Sequence, residues 1–235
     1  MTRIRAGLFL AILAVSSAPA LATSITVGSG GSGNVFPFGC GAGCFPYVGE
    51  YQQVYASTAF SGPITIRQVA FDTTNGLGAA SLTDTFTLSL GTTGATPAAP
   101  GATYVGNRRP DFTTVFSGVV NLPAIGGPGF DFIINLTTPF LYDPANGNLL
   151  LDVNIASNVI VGSSGVAFVF GGSPDVGRLY NSSGSGPVAA EGNAGLLTQF
   201  SDVSPTAVPE PASLTLLASG MILGAWRRRA RRPRN

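Results

Sequence analysis

Thr85-Phe86-Thr87-Leu88-Ser89-Leu90 is the stretch that decides the fold. Side chains of an extended chain point alternately to opposite sides, so Phe86, Leu88 and Leu90 share one face and the hydroxyl residues share the other. That is the pattern of a half-buried strand. The same period continues outward in both directions. Upstream, Ile64 and Ile66 alternate with Thr65 and Arg67. Val69 and Phe71 then continue on the opposite parity, which predicts a bulge or a doubly buried strand around Arg67-Gln68. Downstream, Phe130, Phe132, Ile134 and Leu136 alternate with Asp131, Ile133 and Asn135. Leu149, Leu151, Val153 and Ile155 alternate with Leu150, Asp152 and Asn154, and Val166, Phe168 and Phe170 repeat the theme. Gly, Pro, Asn and Asp, the residues that turns favour, bound each run. No long segment between them carries a helical period. The expectation is an all-β domain, an antiparallel β-sandwich of jelly-roll-like type.

The composition narrows the chemistry. The whole chain has a net charge of +1, but between Thr23 and Ala207 four arginines face ten acids, a net charge of −6. An acidic domain repels phosphate backbones, so no nucleic acid is expected as a partner. The chain has no histidine. Ser-His-Asp and Cys-His catalysis and His-ligated zinc or haem are therefore excluded. Carboxylate-pair hydrolysis and oxygen-ligated calcium remain compatible with the residue types present. Cys40 and Cys44 flank Gly41-Ala42-Gly43. In an exported chain two close cysteines read first as a small disulfide, with free thiols or a redox role as the alternatives.

The two ends read as addresses. Arg3 and Arg5 precede an apolar run from Ala6 to Val15, and small residues follow, with Ala20 and Ala22 at the spacing of a signal cleavage site after Ala22. At the other end stand Val208-Pro209-Glu210-Pro211, an apolar run from Ala212 to Trp226, and an arginine cluster opening with Arg227-Arg228-Arg229. A helix over those 15 residues reaches roughly 22 Å. The hydrocarbon core is about 30 Å thick, so the run is short for a permanent span. Trp226 suits the interface and the arginines suit the cytoplasmic side. Pro209 and Pro211 keep the chain before it out of a helix.

This three-part pattern resembles the PEP-CTERM sorting signal of Gram-negative bacteria, a tail also labelled an ice-binding protein C-terminal domain. The resemblance covers about the last tenth of the chain. It implies recognition and removal of the tail by an exosortase, a membrane transpeptidase. The inner membrane would be only a transient partner. The middle also resembles a domain of many PEP-CTERM proteins, through Gln52-Gln53-Val54-Tyr55, Phe60 to Ile66, Tyr142-Asp143-Pro144 and Gly147 to Val153. It implies a β-rich exported domain and brings no catalytic residues.

The expected organisation is a signal peptide (1–22, a signal helix) and a Gly/Ser-rich lead-in with the cysteine pair (23–48). A β-sandwich domain (49–204) and the sorting signal (205–235, with a short membrane-inserting helix) follow. Asp143 to Asn148 reads as a turn rather than a calcium loop, because its acids miss the EF-hand spacing. Arg108-Arg109-Pro110-Asp111 reads as a solvated loop, with capture of a carboxylate or acidic sugar as the sharper alternative. The expected function is that of a non-enzymatic exported protein with no cofactor and no metal. It would be structural or binding, at the cell surface or in an exopolysaccharide matrix. Three alternatives carry specific signatures. A carbohydrate-binding module needs three or more of Tyr47, Tyr51, Tyr55, Tyr104, Tyr142 and Tyr180 on one exposed face. A glycosidase needs acids such as Asp111 and Asp131 facing each other about 5–10 Å apart. Ice binding needs a regular Thr array, and the threonines show no fixed repeat.

Overall fold

The computed structural model describes residues 23–39, 49–74, 81–122, 129–162, 166–181 and 188–202. Their strands form two antiparallel sheets around one core. The first sheet contains β1 (Ser24–Val27), β2 (Ser32–Asn34), β4 (Ile64–Thr73), β7 (Gly129–Tyr142), β9 (Phe168–Gly172), β12 (Ala194–Leu196) and β13 (Thr198–Ser201). The second contains β3 (Glu50–Tyr55), β5 (Ser81–Thr93), β6 (Thr113–Leu122), β8 (Asn148–Val161), β10 (Val176–Tyr180) and β11 (Ala189–Glu191), in the order β11-β10-β3-β8-β5-β6. Among the described residues no helix is long and apolar enough to cross a membrane. The expected signal helix and C-terminal helix lie outside the described residues.

The alternation that defines β5 is what joins the sheets. Leu82, Phe86, Leu88 and Leu90 are all buried. They face β4 and β7, whose Ile66, Val69, Phe71, Phe132 and Ile134 complete the core. Phe38 sits at its centre, with ring centroids 4.6–5.8 Å from Phe71, Phe86, Phe132 and Phe168. Such offset and edge contacts are the preferred geometry of aromatic pairs. The parity reversal at Arg67-Gln68 is a bulge: the β4–β7 register shifts between Ile66 and Gln68. There one residue of β4, Arg67, stands against residues 136–139 of β7, and across this irregularity Ile66 and Val69 both point inward.

Two expectations change. Residues 23–48 read as a Gly/Ser-rich lead-in, flexible over Ser29 to Gly33, yet Ser24–Val27 and Ser32–Asn34 are strands, paired with β13 and β9. Small residues are what this edge requires, since a Cβ at Gly31 would meet the Phe170 carbonyl. Leu150 and Asp152 alternate as outward positions of β8 but are buried. The reason is the segment between β5 and β6, residues 94–112, which folds back over the outer face of the second sheet. It contains a one-turn helix, α1 (Tyr104–Asn107), capped by the Thr103 side chain, which accepts from the Gly106 amide.

Candidate functional site

Three clusters of polar side chains are built into this frame, and all three lie on the second sheet. The first is on its outer face, beneath residues 94–112. Gln52 on β3 and Asp152 on β8 are cross-strand partners, and the Gln52 amide donates to Asp152 Oδ2 at 2.6 Å. Arg108 donates to the same oxygen from Nε (3.1 Å) and Nη2 (2.9 Å), and to Glu50 Oε1 at 2.5 Å. Asn107 donates to Gln52 Oε1 and to the Pro100 carbonyl, and Tyr104 donates to the Glu50 carbonyl. Burial raises the Glu50 pKa, helped by Asp152, and Arg108 opposes the rise. The Arg108 guanidinium also lies 4.7 Å from the Phe112 ring centroid.

Arg108 therefore does grip carboxylates, but they belong to its own sheet. Arg109 donates to the Asn146 carbonyl, and Asp111 accepts from the Thr92 amide. Arg109, Pro110 and Asp111 are exposed, as the reading of a solvated loop has it, while Arg108 turns inward as an internal tie.

The second cluster lies between the sheets. Tyr51, Gln53 and Tyr55 share the inward face of β3, and all are fully buried. The Gln53 amide reaches across to β12, accepting from the Leu196 N–H (2.8 Å) and donating to the Leu196 carbonyl (2.9 Å). It pairs with that backbone as another peptide group would. Tyr51 donates to Gln53 Oε1, and Tyr55 donates to Thr198 Oγ1. Burial raises both tyrosine pKa values, and Arg178 opposes the rise at Tyr51. Arg178, on the same inward face, pairs with Glu191 at 2.6 and 2.8 Å. Its guanidinium carbon lies 4.1 Å from the Phe170 ring centroid and 4.5 Å from that of Tyr180. Nη1 has no hydrogen-bond partner.

The third cluster is Asp84 with Asn158. They are paired across β5 and β8 and turned inward. Asp84 is fully buried, and neither carboxylate oxygen has a hydrogen-bond partner. Desolvation pushes its pKa up to about 8.

The other sequence candidates are dispersed. Tyr51, Tyr55 and Tyr142 are core residues, Tyr104 belongs to the outer segment and reaches down to the Glu50 carbonyl, and Tyr180 is half-buried against Phe36. Among the described residues no exposed face gathers three tyrosines, so the aromatic platform of a carbohydrate-binding module is not formed. Asp111 and Asp131 are not brought together: Asp111 bonds to β5 of the second sheet, and Asp131 lies on β7 of the first. Asp143 to Asn148 is a turn, in which Asp143 accepts from the Ala145 amide and Gly147 takes a φ of +125°. Ala20, Ala22, Cys40, Cys44, Tyr47, Val208, Pro209, Glu210, Pro211, Trp226, Arg227, Arg228 and Arg229 lie outside the described residues. Gln52, Gln53, Asp84, Asp152 and Arg178 are site residues that the sequence reading does not offer as such. The signal for Asp84, Gln53 and Arg178 is parity: a polar residue in phase with the apolar face of its strand.

Residues 207–229 match the family model described as the PEP-CTERM protein-sorting motif. The motif implies export across the membrane and processing by an exosortase. No curated protein matches the chain.

Proposed function

We propose that this is an exported, non-enzymatic protein whose β domain is delivered by its sorting motif to the cell surface or the exopolysaccharide matrix, where it acts as a structural or binding component. The single observation that carries the reading is the motif match at residues 207–229. The expected signal peptide at 1–22 supports it, because the two segments flank the domain and address it across the same membrane. The jelly-roll-like connectivity belongs to the same reading: from β3 to β10 nearly every link passes from one sheet to the other. The acidic balance between Thr23 and Ala207 keeps such a domain soluble without lysine or histidine.

The test is a four-way fractionation. The full chain and a version lacking residues 207–229 are expressed in a host with and without its exosortase. The full chain should lose mass and reach the surface only where the exosortase is present. The shortened chain should be indifferent to the enzyme. Identical size and location in all four cultures would overturn the proposal.

A further inference from the structure

β6 is an open edge of the second sheet, and its sequence does nothing to protect it. An edge strand presents a row of unpaired N–H and C=O groups, which natural folds blunt with charge, proline, bulges or short length. β7, at the edge of the first sheet, carries such devices: an exposed Asp131, Pro139 and the irregularity at residues 136–139. β1, β2, β11 and β12 run for only three or four residues. β6 runs for ten, Thr113–Leu122, with neither a charge nor a proline. Near its start the edge is closed, since Thr137 donates to the Val115 carbonyl. From Phe116 to Leu122 the backbone pairs, among the described residues, with β5 alone.

We propose that β6 pairs antiparallel with β6 of a second copy of this chain, about a two-fold axis at Gly118. The strand is self-complementary in that register. Phe116 stands opposite Val120 of the second copy, an aromatic–β-branched pair of the kind that stabilises sheets. Both side chains are only partly buried against the core, so each has surface left to cover. On the outer face Ser117 stands opposite Val119 of the second copy, and Val119 is 54% exposed. Gly118 meets itself on the axis, where a Cβ would lie 3.4 Å from Phe116 Cζ. Charge selects the occupant. The region from Thr23 to Ala207 carries −6, and none of that charge lies on β6. A basic or acidic strand would find no counter-charge there, whereas an uncharged edge meets its own copy without repulsion. The contact is isologous, so it consumes the one long unprotected edge among the described strands and stops at a dimer. A contact along Phe116 to Leu122 is small, which places the dimer in the weak class. The inference rests on this edge and not on the sorting motif.

The test is sedimentation velocity of the full-length protein in a nonionic detergent, over a range of protein concentrations. A reversible monomer–dimer equilibrium is expected. Val119→Lys and Val119→Glu alter an exposed side chain and should leave strand content by circular dichroism unchanged. Each sets like charges diagonally across the axis, within reach of long side chains. Each alone should weaken the dimer by at least about tenfold. Mixing the two variants should restore it, which no association through the C-terminal tail would do. Monomer at every concentration up to about 1 mM overturns the proposal. So does a dimer that either variant leaves at wild-type strength, and so does a mixture no tighter than the variants measured apart.

Discussion

Asp84 stands one position before the run that announces the fold, and it obeys the parity of that run. Leu82, Asp84, Phe86 and Leu88 form one buried row, so the pattern that places three apolar side chains in the core places a carboxyl among them. Burial pushes its folded pKa up to about 8, above the ordinary aspartate value of 3.8. The contribution of the neutral acid is therefore complete below about pH 4 and is lost as pH rises through about 8. Urea unfolding from pH 4 to 9 should show stability falling by on the order of 5 kcal/mol. Asp84→Asn, which cannot ionise, should flatten that slope and be the more stable form at pH 9. Gln53 argues the same point by hydrogen bonding. Gln53→Leu orphans the Leu196 amide and the Tyr51 hydroxyl and leaves the Leu196 carbonyl only its Thr198 donor, so a loss of about 2–4 kcal/mol is expected by urea unfolding. Parity marks both positions as inward. What it cannot mark is the partner, because Gln53 meets a strand 143 residues further along the chain.

Periodicity made the central elements legible and left the peripheral ones obscure. β4, β5, β7 and β8 stand out because each runs for ten or more residues with one apolar face. β1, β2, β11 and β12 span only three or four residues, too few to display a period. Residues 94–112 were hidden for another reason: they cover a face that alternation assigns to solvent. Their attachment rests on Arg108 and on glycines. A Cβ at Gly177 would run into the Pro97 carbonyl, and one at Gly192 into the Ala98 carbonyl. Gly177→Val should therefore lift the segment, seen as new proteolytic cleavage between residues 94 and 103 at unchanged strand content by circular dichroism. Arg108→Ala should cost about 3–5 kcal/mol in urea unfolding, since it leaves the Asp152 carboxylate buried without its cation. Adding Asp152→Leu should recover much of that loss, because removing both charges is milder than stranding one.

At the scale of the molecule, the class of fold was legible because many short alternating runs leave few other ways to bury their faces. The sheet order was not, since a period says which way a side chain points and nothing about which strand lies beside it. The pairing of β1 with β13 is the telling case: Ser24 stands opposite Ser201, and the Asp202 amide donates to the Thr23 carbonyl. The first and last described strands thus close on each other. Non-local pairing of this kind slows folding. A chain ending at residue 197 should remain protease-sensitive, and one ending at residue 202 should become resistant, as read by limited proteolysis. β13 is the middle member of the row β1-β13-β4, so without it neither neighbour has its partner on that side. In the order of synthesis the clasp comes immediately before the sorting motif. Completion of the domain and exposure of its address are then separated by only a few residues of elongation. A processing enzyme that waits for Pro209-Glu210-Pro211 would in effect be reading a completion mark: every strand among the described residues has already been made.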